Sequence, residues 1–290
     1  MDVLVDYQGH WGLGDLLCSD PLILGLHERH GPGTRVWLRG HAGNVAHNPH
    51  VAGVASDGQR FDHVVEVKFF THMRREDYAR LEGLPSLIDH MCGYAGFVPR
   101  DRTPRLWLSE DDLQATAQLT AVRRPRIAIC ADFVDPLRHW APERWYTLAV
   151  LLQEAGAHVV GIGARHRLGI GTDLVGKLTV RQTAAVLTEC DLFVGNNSGP
   201  FHYAQAAGVP CVTLFSLATP SRFVHPGARV VPVEAERLEC LHCMTRDFAG
   251  MQQTGCRATP RGRCMLDIHE EQVLLAIDQA LQGVVLPAAR

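Results

Sequence analysis

The most informative stretch of the chain reads Leu192-Phe-Val-Gly-Asn-Asn-Ser-Gly-Pro-Phe-His-Tyr-Ala-Gln-Ala-Ala-Gly-Val-Pro-Cys-Val-Thr-Leu-Phe215. An apolar run is followed by a polar turn with two glycines, by helical sequence over 199–207, and by a second apolar run over 211–215. A strand, a helix and a strand in succession predict two parallel strands joined by a helical crossover.

The same alternation continues outward on both sides of this unit. The segment Arg123-Arg-Pro-Arg126 interrupts it, so we expect two Rossmann-like α/β domains, 1–122 and 123–290. Just before the boundary, Ser109-Glu-Asp-Asp112 resembles a capping box that starts a helix. Further strands are predicted at 3–5, 35–38, 63–67, 127–130 and 158–162, and helices at 16–28, 109–121, 142–155, 181–189 and 270–281.

Composition and termini exclude several classes of protein. The chain has 290 residues, 46% of them apolar, and a net charge of −3, so it has no global basic field for nucleic acid. The N-terminus Met1-Asp-Val-Leu-Val-Asp6 lacks the features of a signal peptide. No stretch reaches ~18 uninterrupted apolar residues. We therefore expect a cytoplasmic protein with at most peripheral membrane contact.

The polar turn at the start of the 199–207 helix is a candidate anion site. It combines side-chain amides, a hydroxyl and the N–H groups of a helix N-terminus, which suit a diphosphate. His202 falls in the first helical turn, where it could reach the same anion. The alternative is an ordinary turn between a strand and a helix, with serine or asparagine caps. The candidate residues are Asn196, Asn197, Ser198, Gly199 and His202.

Two other segments could contribute to the same chemistry. Arg138 precedes a helix opened by Pro142, and its cation could reach a phosphate. Gly14 and Asp15 follow the first strand, where glycine allows close backbone approach and an acidic residue could act as a base. The alternatives are a solvated arginine and a helix-capping aspartate.

Taken together and in this order, these segments resemble glycosyltransferase family 9, the heptosyltransferase family. The matching segments are Gly14-Asp15-Leu-Leu-Cys-Ser-Asp-Pro21, Arg138-His-Trp-Ala-Pro-Glu-Arg-Trp145, Gly195-Asn-Asn-Ser-Gly-Pro-Phe-His-Tyr-Ala-Gln-Ala-Ala-Gly-Val-Pro210 and Cys264-Met-Leu-Asp-Ile-His-Glu-Glu-Gln-Val273. The resemblance implies the GT-B architecture, with two Rossmann-like domains facing a central cleft. It also implies inverting transfer of a heptosyl or related sugar from a nucleotide sugar, ADP-heptose above all, to an acceptor hydroxyl.

The resemblance assigns expected roles to individual residues. Asp15 is expected to be the general base, and Leu178 to pack against the nucleobase. The expected donor-binding residues are Gly14, Arg138, Leu178, Asn196, Asn197, Ser198, Gly199 and His202. Three departures stand out: Asn197 replaces an aspartate, Arg138 replaces a lysine, and Ser216-Leu-Ala-Thr-Pro220 replaces a Gly-Pro-Thr-x-Pro turn.

Four cysteines close together form a separate candidate site. Their spacing, Cys240-x2-Cys243-x12-Cys256-x7-Cys264, suits tetrahedral coordination of zinc or iron, although free or packed thiols are the alternative. A subgroup of the family, the autotransporter heptosyltransferases, carries a four-cysteine iron site in a comparable position. Four thiolates leave no position for substrate, so such a metal would be structural. The absence of an Asp-x-Asp signature predicts transfer without a catalytic divalent ion.

The sequence leaves a second function class and the acceptor open. A catalytically inactive GT-B protein that binds nucleotide sugars or a partner is the alternative, and Asn197 is the best argument for it. The acceptor could be a lipopolysaccharide core, a protein or a small molecule. The run Lys68-Phe-Phe-Thr-His-Met-Arg-Arg75 is a candidate acceptor loop or a solvated basic turn. No nucleic acid partner is expected, and a homo-oligomer stays open.

Overall fold

The computed structural model describes residues 1–8, 12–40, 47–68, 86–133, 135–246 and 255–282. The chain divides into two compact units, Met1–Leu108 and Ser109–Arg290, each built on a parallel sheet. The predicted α/β class is therefore confirmed. None of the helices in the described ranges combines the length and apolar character needed to cross a bilayer.

The first unit contains a four-stranded parallel sheet in the order β3-β2-β1-β4. Its centre is β1, where Val3, Leu4 and Val5 are fully buried, as expected for a strand covered on both faces. The strands are β1 (Asp2–Gln8), β2 (Arg35–Arg39), β3 (Val51–Val54) and β4 (His63–Lys68), and the described helices are α1 (Leu13–Leu17), α2 (Asp20–His30) and α3 (Leu87–Tyr94).

The helix predicted at 16–28 is in fact two helices, α1 and α2. Proline lacks an N–H and is tolerated only in a first helical turn, so Pro21 requires a new helix to begin just before it. Ser19 precedes that turn, and its hydroxyl donates a hydrogen bond to the carbonyl of Leu16 at 2.6 Å. The break therefore follows from local chemistry that the apolar spacing did not reveal.

The second unit contains a six-stranded parallel sheet in the order β10-β9-β8-β5-β6-β7. Its strands are β5 (Arg126–Cys130), β6 (His158–Gly161), β7 (Thr172–Asp173), β8 (Leu192–Asn196), β9 (Cys211–Leu214) and β10 (Val230–Val233). Its helices are α4 (Glu110–Leu113), α5 (Pro142–Glu154), α6 (Val180–Thr188), α7 (Gly199–Ala206), α8 (Pro220–Phe223), α9 (Cys243–Arg246), α10 (Arg263–Leu266) and α11 (Glu270–Gln282).

The strand order of this sheet places a topological switch point at the carboxyl ends of β5 and β8. The chain runs from β5 outward through β6 and β7, and then returns to build β8, β9 and β10 on the other side. Ligands of open α/β sheets bind where the order reverses in this way. The polar turn after β8, which the sequence marks as an anion site, lies at this switch point.

The second unit begins at Ser109, upstream of the boundary expected between 122 and 123. The predicted capping box is present: Ser109 Oγ accepts from the Asp112 N–H at 3.3 Å, and Asp112 Oδ2 accepts from the Ser109 N–H at 2.7 Å. Arg181 of α6 donates to both Ser109 Oγ and Asp112 Oδ2. These bonds attach the segment to the second sheet's helices, which the sequence pattern could not reveal.

Candidate functional site

The turn between β8 and α7 brings polar atoms into a buried position. Asn196 is 1% exposed and Asn197 5% exposed, although both carry polar amides. Ser198 is the extended N-cap residue of α7, yet its side chain makes no capping hydrogen bond. The helix start also presents N–H groups and the positive end of a dipole. The predicted anion-binding elements are thus together in one turn.

Two side-chain oxygens in this turn have no hydrogen-bond partner within the described chain. The Asn196 amide donates through Nδ2 to the carbonyl of Asp132 at 3.2 Å, which fixes its orientation. Asn196 Oδ1 and Ser198 Oγ are buried without a partner there. Leaving a buried polar group unpaired costs about 1–3 kcal/mol, so such atoms commonly mark the place of a ligand or an ordered water.

Arg138 lies beside this turn. It ends a short 3₁₀ turn, Pro136–Arg138, which Asp135 holds by accepting from the N–H groups of Leu137 and Arg138 at 2.9 and 2.8 Å. The guanidinium Nη1 donates to the carbonyl oxygen of Asn197 at 2.9 Å. A cation and a helix N-terminus therefore meet at the same end of the sheet.

His202 lies in α7 and is paired with a second histidine, His225, which the sequence did not single out. The Nδ1 atom of His202 and the Nε2 atom of His225 are 3.1 Å apart, and both residues are buried. Burial, His225 and the Arg138 cation hold the pKa of His202 well below its usual value. Burial lowers the pKa of His225 to about 4. At neutral pH His202 is therefore a neutral hydrogen-bonding group and not a cation.

Asp132 is a further residue that sequence reasoning missed. Its carboxylate accepts from the N–H of Arg165 at 3.2 Å, from the N–H of His166 at 2.8 Å and also from the N–H of Ala164. Burial alone would raise the pKa of Asp132, but these donors outweigh it and lower the pKa. An acidic residue two positions after the buried strand 126–130 was the available signal.

Leu178 belongs to a loop that connects to the same end of the sheet. It is half-buried and directly precedes Thr179, the N-cap residue of α6. In this loop the N–H of Gly176 donates to the carbonyl of Gly163 at 2.8 Å, and Gly163 adjoins the segment capped by Asp132. The structure thus links the loop of Leu178 to the loops after β5 and β6.

Asp15 and Gly14 lie in α1 of the first unit. The Asp15 Oδ2 atom accepts a hydrogen bond from the N–H of Gly12 at 3.0 Å and so caps the helix. A Cβ at position 12 would lie 2.8 Å from that oxygen, so a larger residue there would require the Asp15 carboxylate to shift. Gly14 is buried. The candidate acceptor loop 68–75 falls outside the described residues except for Lys68.

The four cysteines lie close enough to influence one another. Burial and the neighbouring thiols of Cys240 and Cys256 raise the pKa of Cys243. Burial, together with the other three thiols, raises the pKa of Cys264 to about 11. Among the described residues, no three of these sulfur atoms lie within 4.8 Å of one another. The thiols are therefore clustered but are not arranged as a closed tetrahedral shell.

Comparison with known proteins connects this geometry to a family. A curated relative is a lipopolysaccharide core heptosyltransferase, OpsX, from Haemophilus influenzae, 22% identical over 154 residues. That match covers 48% of this chain and 44% of the relative, so it spans less than half of the relative's length.

Solved structures with the same fold cover nearly the whole chain. A family 9 glycosyltransferase from Veillonella parvula is 17% identical, with a TM-score of 0.74 and 97% of both chains covered. The iron-containing dodecameric glycosyltransferase TibC from enterotoxigenic Escherichia coli is 18% identical, with a TM-score of 0.74, 98% of this chain covered and 77% of that chain. These likenesses confirm the predicted GT-B fold class.

A sequence model of glycosyltransferase family 9 (heptosyltransferase) matches residues 46–249. The matched range includes Arg138, the β8–α7 turn, His202 and the first two of the four cysteines. Since it covers more than half of the chain, this protein belongs to glycosyltransferase family 9, the heptosyltransferase family.

Proposed function

We propose that this protein transfers a heptosyl or related sugar from a nucleotide sugar, with ADP-heptose as the donor, to an acceptor hydroxyl with inversion. The observation that carries the proposal is the buried Ser198 hydroxyl at the start of α7, which has no hydrogen-bond partner among the described residues and lies in the turn that Arg138 contacts. The diphosphate of a nucleotide sugar would supply negative charge to pair with Arg138 and oxygen atoms that accept hydrogen bonds from the helix N–H groups.

In this proposal the second unit stabilises the leaving diphosphate. Arg138 and the N–H groups at the start of α7 would oppose negative charge as it develops. His202, held neutral by burial, would contribute as a hydrogen-bonding group. Ser198 Oγ can donate a hydrogen bond to a phosphate oxygen. Asn196 Oδ1 can only accept a hydrogen bond, so it suits a hydroxyl group of the nucleotide sugar or a bound water. Leu178 would contact the nucleobase.

Asp15 is the proposed general base of the first unit. As the acceptor hydroxyl attacks the anomeric carbon, its proton passes to the Asp15 carboxylate, and the bond between that carbon and the diphosphate breaks. The hydrogen bond from Gly12 to Oδ2 supports this role because it fixes the carboxylate at one end of α1. Gly14, buried in the same turn, would allow close approach of the ligand.

The names of the similar proteins support the donor and leave several acceptors. OpsX is described as a lipopolysaccharide core heptosyltransferase, and TibC has been crystallised with ADP-D-β-D-heptose. For this chain we propose ADP-heptose as donor, and a lipopolysaccharide core, a protein or a small molecule as acceptor. The cytoplasmic location stays a prediction, to be checked by fractionation, and light scattering decides whether the chain forms a homo-oligomer.

A thermal-shift screen followed by a transfer assay tests the function. A donor that binds only the folded state stabilises it by about 2.7 kcal/mol at 100-fold excess over Kd. We expect ADP-heptose to raise the melting temperature more than UDP-glucose or ADP does, and the glycoside product to have inverted anomeric configuration by NMR. Stabilisation without transfer to any acceptor would favour the inactive binding protein, and no stabilisation by any nucleotide sugar would refute the proposal.

We also propose that Cys240, Cys243, Cys256 and Cys264 hold one structural zinc or iron ion. The raised pKa values of Cys243 and Cys264 come from burial and from repulsion among neighbouring thiolates. A cation that replaces the protons would remove that repulsion, and thiolates are ligands that zinc and iron prefer, which supports the proposal. The description of TibC as iron-containing supports iron as one of the two candidates.

A further inference from the structure

The four-cysteine region contacts the loop that follows β9. We define the cysteine segment as residues 240–246 and 255–266. The N–H groups of His242 and Met244 donate to the carbonyls of Ser216 and Leu217 at 3.0 and 2.8 Å. In the opposite direction, the N–H of Thr219 donates to Thr245 Oγ1 at 3.1 Å. The loop 216–219 therefore rests on the cysteine segment through three hydrogen bonds.

The same segment contacts the short turn that carries Arg138. The helix α10, which contains Cys264, packs against the turn Pro136–Arg138. A Cβ on Gly262 would lie 4.0 Å from Leu137 Cδ2, so the leucine side chain packs over that glycine. Leu137 is 8% exposed. Ser216 Oγ also lies 3.5 Å from the Leu137 carbonyl, which connects the two contacts.

Leu137 is the immediate neighbour of Arg138, so these contacts bear on the candidate diphosphate site. The 3₁₀ turn has only three residues and is held internally by hydrogen bonds to Asp135. So short a turn has little stability of its own, and its position depends on what packs against it. On one side the turn reaches Asn197 through the Arg138 guanidinium, and on the other it rests on Gly262 through Leu137.

We propose that the cysteine segment is a positioning element for Arg138, acting through Leu137, and that it thereby sets the affinity of the site for a nucleoside diphosphate. The proposal rests on the proposed function, because it assumes that Arg138 binds the diphosphate. Leu137 itself would not contact the ligand, so it is a positioning residue. Loosening the segment should move the guanidinium away from Asn197, so binding of the diphosphate weakens while binding of the nucleoside does not change.

The proposal separates the role of the segment in binding from its role in stability. A metal held by the four cysteines would stiffen the segment and so favour the bound position of Arg138. Coupling between two sites is reciprocal, so a diphosphate should in turn protect the metal from a chelator. A segment that serves stability alone would lower the melting temperature without changing the ratio of the two affinities.

The test compares the affinities of ADP and adenosine by calorimetry in four proteins. They are the wild type, Leu137→Ala, Cys243→Ser and the matched control Leu152→Ala, a core leucine of α5 that is 4% exposed. We expect Leu137→Ala and Cys243→Ser to weaken ADP binding by about 3- to 30-fold, with adenosine binding within about 2-fold of the wild type. Leu152→Ala should lower the melting temperature comparably and leave the ratio unchanged.

The outcomes distinguish this proposal from the proposed function. If the wild type binds ADP no more tightly than adenosine, the diphosphate site itself is wrong and the positioning role is refuted with it. If the wild type prefers ADP and Arg138→Ala removes that preference, but Leu137→Ala retains it, only the positioning role is refuted. An equal loss in Leu152→Ala would likewise refute it. Should Cys243→Ser fail to fold, the Leu137→Ala result decides alone.

Discussion

The carboxylate of Asp15 has a structural role that any account of its chemistry must include. Its Oδ2 atom caps α1 by accepting from Gly12, so replacing it with alanine would remove both the cap and any proton acceptor. Asparagine keeps an oxygen that can accept the same N–H but cannot take up a proton. The pair of variants therefore separates helix capping from catalysis.

Asp15→Asn should lower turnover by about 100-fold or more, the usual scale for loss of a general base, with the melting temperature and donor affinity nearly unchanged. Asp15→Ala should lose the same turnover and also about 1 kcal/mol of stability from the cap. Steady-state kinetics and thermal denaturation measure the two effects. Wild-type turnover in Asp15→Asn would assign the residue to capping alone.

The histidine pair of the second unit predicts a dependence of stability on pH. The pKa of His225 is about 4 in the folded protein, against 6.5 for an ordinary histidine. Between these values the unfolded chain binds more protons, so stability is fully present above pH 6.5 and is lost as the pH falls toward 4. His202, whose pKa is lowered by burial, His225 and Arg138, adds in the same direction.

His225→Gln should therefore make the protein less sensitive to acid. Between pH 7.5 and pH 5 the wild type should lose about 2 kcal/mol through His225, since each unit of pKa difference corresponds to about 1.4 kcal/mol. Urea denaturation at the two pH values measures the loss. Equal losses in the variant and the wild type would show that His225 does not carry it.

At the scale of elements, the turn between β8 and α7 shows that one departure from the family pattern, asparagine at position 197, leaves the contact with Arg138 intact. The hydrogen bond from Arg138 reaches the main-chain carbonyl of Asn197 and not its side chain. Asparagine in place of aspartate therefore leaves this contact unchanged. The loss of this hydrogen bond therefore cannot be an argument that the protein is inactive.

Arg138→Ala should weaken binding of ADP while barely changing binding of adenosine, because the guanidinium faces the turn that starts α7. A charge-assisted hydrogen bond contributes about 1.5–3 kcal/mol, which corresponds to roughly 10- to 150-fold in affinity. The control is Arg229→Ala, which removes the same charge from an exposed position in the second unit. Calorimetry showing equal losses for ADP and adenosine would contradict the assignment.

The cysteine segment makes a separate prediction about metal content. Purified protein should contain about one zinc or iron ion per chain, and Cys243→Ser should remove it and lower the melting temperature by at least about 5 °C. Cys190→Ser is the control, because that thiol is buried, lies outside the cysteine segment and donates a hydrogen bond to the carbonyl of Val186 at 3.4 Å. If the purified protein contains no metal and chelators leave its melting curve unchanged, the four cysteines are reduced thiols that bind no metal.

At the scale of the whole molecule, the start of the second unit can be tested by truncation. A protein that begins at Ser109 keeps the partners of Arg181, whereas one that begins at Arg123 loses them together with the segment that packs against α6. The shorter fragment also loses the fully buried side chain of Leu119, whose burial contributes about 2 kcal/mol. We expect the longer fragment to be more stable in urea by at least that amount. Equal stabilities would favour the boundary near 122.

Several strands and helices, among them β8 and α7, the turn between these two and the capping box at Ser109 were predictable from the sequence. They depend on neighbouring residues and on apolar spacing, which a sequence displays directly. The two-residue strand β7 and the strands β3 and β10 were not predicted. Each has at most four residues and forms because an adjacent strand offers a partner for its backbone, which no local pattern records.

The capping of the loop after β6 by Asp132, the pairing of His202 with His225, and the packing of Leu137 over Gly262 were decided by the tertiary structure alone. In each pair the two residues are far apart in sequence. The same holds for a further pair, Asn196 and Asp132, which are separated by 64 positions. Their meeting depends on the strand order of the sheet, which places the ends of β5 and β8 side by side. The sequence by itself determined which polar residues follow the strands; the sheet determined which of them share a site, because contacts between distant segments are set by packing and not by spacing.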